Sequence, residues 1–419
     1  MMTFSALMRL WLRIGCLSFG GPAGQIALMH REVIEKRELA TEKEFLSALN
    51  FCMFLPGPEA QQLAIYLGWR QRGMWGGVIS GTLFILPGAI VMFGLATLYA
   101  LFGQVPAVAS LFWGIKAAVL AIVLEALLRV ARRALKSNTD YVVAGLAFLA
   151  IFAFNLPFPL VILLAAASGL LAGGAAPIEK VPLPDVRRVL KQVMIWLAVW
   201  LAPLGLINLA TPGSVFASLG NFFARLAVSG FGGAYAMLSY MGQDVVEKHH
   251  WLLPGQMIDG LGLAETTPGP LILVGQFVGF LAAAHAEGTI WAGFLGGLIF
   301  LWMSFAPCFL WVFAGAPYLT YIQSNPRLAK ALSRVTAAVV GVILNLSLWF
   351  GLHVIFGQVA RLSGLLPIWW PDFSSLDAAA LVLTILAGLA LLYAKWGMVR
   401  VLALAATLGI IWKSVIPLL

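Results

Sequence analysis

Four stretches of this chain run for thirty residues or more without a charged side chain: Gly73–Phe102, Tyr141–Ile178, Gln192–Ala224 and Gly288–Pro326. A helix needs roughly 20 apolar residues to cross a bilayer core. The runs lack the weak alternation of outer-membrane strands, so they read as helices. Charged residues make up 10% of the chain, whereas a soluble domain carries about 25%. Most of the surface therefore meets lipid. The net charge of +9 fits basic cytoplasmic loops, and no nucleic-acid partner is expected. The N-terminus does not read as a cleavable signal, because Arg9 and Arg13 interrupt its apolar stretch. Cys16, Cys52 and Cys308 stand singly, without metal or disulfide spacing. No metal site, cofactor or enzyme constellation is expected.

The sequence repeats itself. Phe19-Gly20-Gly21 recurs as Phe231-Gly232-Gly233, and Pro56-Gly57-Pro58 as Pro268-Gly269-Pro270, both 212 residues later. The same offset pairs Arg13 with Arg225, Met29 with Met241, Glu35 with Glu247 and Glu32 with Asp244. Beyond P-G-P the offset becomes 220 and pairs Gly76-Gly77 with Gly296-Gly297 and Pro87 with Pro307. An insertion of eight residues near Ala283–Gly288 accounts for the change.

Positive charges orient the halves. Arg70 and Arg72 precede the span Gly73–Phe102, while Arg327, Lys330 and Arg334 follow its counterpart. With basic loops on the cytoplasmic side, equivalent spans run in opposite directions. An additional span at about Gln192–Leu209, preceded by Lys180, Arg187, Arg188 and Lys191, supplies the flip. This is the inverted-repeat plan of secondary transporters; the alternative is a parallel duplication. The expected architecture is an all-α polytopic membrane protein with two inverted-topology repeats, broken or re-entrant helices at the F-G-G and P-G-P motifs, and roughly 10–12 membrane segments. Residues 1–178 form the first repeat, 179–214 the linker with its extra helix, and 215–419 the second, inverted repeat.

Proline removes a backbone donor and glycine loosens the chain, so P-G-P in an apolar segment breaks a helix. Thr41–Leu55 with Glu59–Gly68, and Leu252–Thr267 with Leu271–Phe280, read as broken pairs. Breaks at membrane depth are tolerated inside protein or beside a water-filled cavity. A half-helix that starts there presents free N–H groups and a positive dipole end, which suits an anion. The alternative is that the glycines serve packing only, which is the reading for Gly76, Gly77, Gly296 and Gly297. Glu59 follows the first P-G-P and Glu265 precedes the second. Ionisable groups at that depth are costly, so both are candidate proton carriers, although Glu59 could instead cap its helix. Gln61, Gln62, Thr266 and Thr267 offer uncharged hydrogen bonds to an oxyanion. Lys116 and Glu125, inside another span, are expected to pair across helices. The charged cluster from His30 to Arg37 is expected at the water-facing end of a helix, and His249-His250 as a surface pair.

The stretches Ser18-Phe19-Gly20-Gly21-Pro22, Leu55-Pro56-Gly57-Pro58-Glu59-Ala60-Gln61-Gln62-Leu63-Ala64, Ser229-Gly230-Phe231-Gly232-Gly233 and Glu265-Thr266-Thr267-Pro268-Gly269-Pro270 resemble the chromate ion transporter family. The resemblance covers both halves apart from the linker span and the final helices. It implies secondary export of chromate from the bacterial cytoplasm across the inner membrane, as uniport or as an antiporter, giving chromate resistance. Sulfate is the chemical look-alike, and transport of sulfate or another oxyanion, or a passive anion channel, is the alternative. Partners are then the oxyanion, the lipid bilayer and a second copy in a homodimer. The implied substrate contacts are Ser18 to Pro22, Pro56 to Pro58, Gln61, Gln62, Ser229, Phe231, Gly232, Gly233 and Thr266 to Pro270, with Glu59 and Glu265 coupling protons. Ala234 stands where the first half has Pro22, and Leu271 where it has Glu59, so the first half is expected to carry more of the binding.

Overall fold

The computed structural model of the chain describes residues 2–173, 185–231, 233–319, 325–362 and 368–415. It is overwhelmingly helical. In the first half come α1 (Phe4–Leu17), α2 (Gly21–His30), α3 (Glu42–Phe54), α4 (Glu59–Phe102), α5 (Pro106–Ala134), α6 (Asn138–Phe152) and α7 (Phe158–Ala172). Next come α8 (Val186–Ala210), α9 (Val215–Ser229), α10 (Ala234–Gln243), α11 (Pro254–Thr266), α12 (Val274–Glu287), α13 (Ile290–Gly315), α14 (Pro326–Ile355), α15 (Ala378–Leu392) and α16 (Met398–Val415). A two-stranded antiparallel ribbon, β1 (Val359–Arg361) with β2 (Trp369–Pro371), joins α14 to α15. Among the described residues, five helices are long and apolar enough to cross a bilayer: Glu59–Phe102, Pro106–Ala134, Val189–Ala210, Ile290–Tyr318 and Pro326–Ile355. The chain is a multi-pass α-helical membrane protein.

Two uncharged runs are divided. Tyr141–Ile178 holds α6 and α7, parted where Asn155 takes a positive φ of 51° just before Pro157. Residues 174–178 of that run lie outside the described residues. Gln192–Ala224 holds most of α8 and the start of α9, parted at Thr211-Pro212-Gly213, where Gly213 has φ 76°. The length of a run told that it was apolar; local turn chemistry decided how many helices it makes.

The chain forms two compact units, and each draws on both halves of the sequence. The first contains Met1–Ala96, Ala167–Met241 and Thr267–Leu332. Its N-terminal core starts with Leu7, Leu10, Trp11 and Ile14, spaced along one face of α1 whose N-terminus is capped by Thr3. They pack with Met29 of α2, Phe45, Ala48 and Phe51 of α3, and Leu63, Ala64 and Leu67 of α4. In lipid such helices associate through close van der Waals packing rather than through expulsion of water.

Helix α4 is a hairpin. Arg72 (φ −142°, ψ 29°) and Gly73 (φ 61°, ψ −156°) leave the helical region, and the chain returns on itself. A Cβ on Gly76 would stand 2.3 Å from the Gly68 carbonyl oxygen. The second half builds the same hairpin from α12 and α13 around Gly288 (φ 68°), with Gly296 equally tight against the Gly279 carbonyl at 2.1 Å. The eight-residue insertion adds about one helical turn to each leg. Gly77 seats Phe313 of the other half, and Gly297 seats Phe93; these two phenylalanines are themselves 220 apart. These glycines serve packing.

The second unit contains Thr97–Ala166, Gly242–Thr266 and Ser333–Leu419. Its helices touch at small residues: Gly114 lies against the Ala405 carbonyl and Gly341 against that of Ala144. Asp140 closes a capping box with Ser137 at the start of α6 and also accepts from Arg334 at 3.0 Å. Both partners are buried, at 5% and 7% side-chain exposure, so Arg334 is an interior cation rather than a loop charge. Lys116 of α5 pairs across helices with Asp259 of α11. Glu125 instead pairs with Arg129 one turn along its own helix, at the i,i+4 spacing where helical side chains are neighbours.

Candidate functional site

The first unit brings together the F-G-G and P-G-P breaks of both halves. Helix α1 stops at Leu17, and the Phe19 N–H turns back to the Leu17 carbonyl at 3.0 Å. Phe231 makes the same contact with Ser229 at 2.8 Å, so the repeat extends to its turn geometry. Gly20 and Gly21 have φ 88° and 66°, and Gly233 has φ 86°. L side chains rarely adopt this left-handed region, which explains the glycines. Helix α2 begins at once, with Pro22 in its first turn, where a missing N–H costs nothing. Gly57 and Gly269 take φ 111° and 97° at the centres of the two P-G-P motifs.

The breaks are bonded to each other across the repeats. The Gly57 N–H donates to the Gly230 carbonyl at 2.9 Å, and the Gly269 N–H donates to the Ser18 carbonyl at 2.8 Å. Gly57 matches Gly269, and Ser18 matches Gly230, at the same offset of 212. Each half's P-G-P therefore holds the end of the other half's F-G-G helix. Such reciprocal contacts are what a twofold relation between two like elements produces.

Around this frame the side chains are unequal. Glu59 opens α4, and its carboxylate oxygens lie 3.0 and 3.1 Å from where a Cβ on Gly233 would be. A largely buried first-half acid thus rests on the second half's F-G-G backbone. Gln61, in the same first turn, is fully buried, and neither atom of its amide has a hydrogen-bond partner among the described residues. Gln62 donates to the Pro56 carbonyl at 2.7 Å and leaves its own oxygen unpartnered. The N–H groups of a helix's first turn have no partners within the helix. The Gln61 amide, without a partner among the described residues, sits in that turn. That combination suits a polyatomic anion, which accepts several donors at once.

Two residues escaped the sequence reading. Gln25 of α2 donates to the Gly269 carbonyl at 2.6 Å, tying the first half to the second P-G-P. Gln276 of α12 donates to the Ala89 carbonyl at 2.9 Å. Their repeat counterparts are Met237 and Ala64, so comparison of the halves passed over them. The signal available was an amide within an otherwise apolar face.

The remaining candidates are placed as follows. The Ser18 hydroxyl is buried and bonded back to Ile14 at 2.6 Å, and that of Ser229 to Arg225 at 2.8 Å. Pro56, Pro58, Thr267, Pro268 and Pro270 are buried in the breaks. The Phe19 side chain is exposed at 42%, away from any enclosed position. Glu265 and Thr266 end α11 and belong to the second unit, with the Thr266 hydroxyl on Leu263 at 2.8 Å. Gly232 lies outside the described residues. In the charged cluster, His30 bridges Glu35 and Glu42, and Glu32 is buried, accepting from Lys36 at 2.7 Å and Arg37 at 2.6 Å. Within the cluster the Glu32 carboxylate turns inward, neutralised by its two cations on a π-helical turn, Arg31–Glu35, while Arg31, Glu35 and Lys36 are exposed. His249 stacks on Trp251, and His250 bonds the Val246 carbonyl.

Comparison with known proteins supplies the context. The chromate transporter family model matches residues 5–170 and again 217–410. A chromate transport protein of Pseudomonas aeruginosa is 32% identical over 82% of this chain and 80% of its own length. One of Cupriavidus metallidurans is 28% identical over 81% of each. A protein of Synechococcus elongatus named "Probable chromate transport protein" is 27% identical over 86% of this chain and 88% of its own. No solved structure matches the chain.

Proposed function

The chain belongs to the chromate transporter family, and from that premise we propose that it exports chromate, a tetrahedral dianion, from the cytoplasm as a secondary transporter. The observation that supports this most is the pair of reciprocal bonds, Gly57 to Gly230 and Gly269 to Ser18, which ties each half's P-G-P to the other half's F-G-G, with the Glu59 carboxylate against Gly233. The substrate contacts are the F-G-G and P-G-P backbones with Gln61 and Gln62. The two repeats run in opposite directions, as the basic loops indicate.

Energetics favours the outward direction. One charge moved through 100 mV is worth about 2.3 kcal/mol. A dianion leaving an inside-negative cell gains about 5 kcal/mol, a gradient of several thousandfold. The membrane potential drives export, with proton exchange at Glu59 and Glu265 as a second drive. Glu59 and an oxyanion seek the same positive end of α4, so an ionised Glu59 weakens anion binding there.

Everted membrane vesicles containing the protein are expected to accumulate chromate when energised, and sulfate and molybdate to compete weakly. Accumulation no greater than in vesicles lacking the protein overturns the reading. Competition by sulfate at least equal to that of unlabelled chromate moves the substrate to sulfate. Flux that fails to saturate makes the protein a channel.

A further inference from the structure

The mechanism above makes no use of a buried ion pair in the second unit. Lys116 lies in the middle of α5, and its Nζ is 3.3 Å from Asp259 Oδ2 on α11. The hydroxyl of Tyr99, near the end of α4, donates to the same oxygen at 2.8 Å. Asp259 Oδ1 is shielded from solvent and has no hydrogen-bond partner among the described residues. Beside the pair the two helices meet through apolar groups, Ile115 and Val119 of α5 lying against Gly262 of α11.

This is an imbalanced arrangement for a structural ion pair. Both donors serve one carboxylate oxygen, and the other oxygen is bare in a low-dielectric place, where an ionised acid is costly. The ion-pair distance exceeds the roughly 2.7–2.9 Å of a tight charge-assisted bond. The ammonium is also poorly placed with respect to α11. A Cβ on Gly255, the second residue of that helix, would stand 3.0 Å from Nζ. Lys116 therefore rests against the helix N-terminus, the end that repels a cation. Its side chain is 27% exposed against 5% for Asp259, so the lysine has the way out and the acid has not.

We propose that Asp259 is a proton-binding site of the transport cycle, with Oδ1 taking the proton and Lys116 and Tyr99 setting how readily it does so. A hydronium ion of the surrounding water gives up its proton, one of its O–H bonds breaking as the Oδ1–H bond forms and a water molecule leaving. The carboxylate becomes a neutral acid, and the ion pair to Lys116 becomes a weak ammonium–carbonyl contact. No other covalent bond changes. Among the charged groups on neighbouring elements, Glu265 lies further along α11 and Asp244 pairs with Lys248 ahead of it. Helix α16 turns Val401, Leu402 and Ala405 inward; its cations Arg400 and Lys413 sit toward its two ends, Lys413 over the Trp113 ring. Lys116 is thus the charge facing Asp259. Helix α11 ends at Thr266, and Thr267 alone separates it in sequence from the second P-G-P, so the site is on the segment that leads to a break.

The inference rests on the transport reading for its purpose, but its first test uses no substrate. Infrared difference spectra of the purified protein across a pH titration are expected to show the carbonyl stretch of a protonated carboxylic acid that Asp259→Asn removes. Lys116→Met removes the cation and is expected to move the appearance of that band to higher pH by at least one unit, a tenfold change in proton affinity. Tyr99→Phe moves it the same way by less, and serves if Lys116→Met does not fold. Retention of every carboxylic-acid band in Asp259→Asn overturns the proposal, as does an unmoved titration in both other variants. In vesicles, Asp259→Asn is expected to flatten the pH dependence of chromate flux; a wild-type pH profile in that variant overturns the role in the cycle. If the wild-type protein carries no chromate, the transport reading falls while the infrared titration still decides the proton site.

Discussion

The two P-G-P breaks share a backbone and differ in what lines it. Both centre on a positive-φ glycine, and each donates to the opposite half's F-G-G turn. After the first, α4 starts at once with Glu59, and Gln61 and Gln62 follow in its first turn. After the second, a short 3-10 turn of Leu271–Leu273 precedes α12, and the equivalent positions hold Leu271, Leu273 and Val274, all buried. Leu273 fills the space beside Gly88 and Gly269, whereas Gln61 in the other half has no partner among the described residues. Backbone geometry is thus maintained in duplicate, while polar chemistry is confined to one copy. A duplicated frame needs both halves to stand; a site needs only one of them to be polar.

The most severe way to break this comparison is Glu59→Gln. We expect vesicle flux to drop to background while the protein remains in the membrane at wild-type level, because a side chain that cannot ionise does not displace bound anion from the end of α4 and release fails. Glu265→Gln should reduce flux less, because the polar lining of the first break is intact. Equal losses would mean that the halves contribute equally.

Gly233→Ala and Gly21→Ala form the next pair, at matching positions. Both glycines have positive φ, so each substitution costs about 1–2 kcal/mol of backbone strain. A Cβ on Gly21 meets nothing within 4 Å, whereas one on Gly233 meets the Glu59 carboxylate at 3.0 Å. Both variants should melt earlier by similar amounts, and only Gly233→Ala should lose most of its flux. Similar fluxes in the two would remove Glu59 from the second half's F-G-G turn.

Gln61→Leu makes the first break resemble the second. Replacing a buried, unpartnered amide with a hydrocarbon should leave the melting temperature unchanged or raise it. The same change removes donors from the anion, and KM should rise about tenfold, or about 1.4 kcal/mol. A rise in KM together with a lower melting temperature would show that Gln61 was holding structure instead.

Much of this frame was legible in sequence because it depends on backbone. F-G-G and P-G-P announce breaks through glycine and proline, whose conformational limits act locally, and the repeat made each visible twice. What joins the breaks was not legible: Gly57 to Gly230 and Gly269 to Ser18 are main-chain bonds, and side-chain identity carries no trace of them. Gln25 and Gln276 were missed because each occurs in only one half. The run Tyr141–Ile178 showed its apolar character but not the turn at Asn155, since a composition window averages over one left-handed residue. The site's polar side, Glu59 with Gln61 and Gln62, was readable as an exception within an apolar run.

The smallest effect concerns the π-helical turns that follow α2 and α10, Arg31–Glu35 and Asp244–Lys248, which are charged and fall outside the five helices long and apolar enough to cross a bilayer. Glu32 is buried and clamped by Lys36 and Arg37, whereas Asp244 meets Lys248. The hydrogen bond from Lys36 foremost, opposed by burial and then helped by Arg37, lowers the Glu32 carboxyl to about 2. A folded-state value below the unfolded one means stabilisation present above about pH 4.5 and lost as pH falls toward 2. Lys36 is half-exposed, so screening leaves about 1–2 kcal/mol of this at neutral pH. Glu32→Gln should therefore lower the melting temperature at pH 7, and its gap from wild type should close as the pH is brought from 5 toward 3. Asp244→Asn should cost less at pH 7, since one cation rather than two loses its partner. A gap for Glu32→Gln that stays constant with pH would show that the amide disturbs packing and that the charge of the clamp contributes nothing.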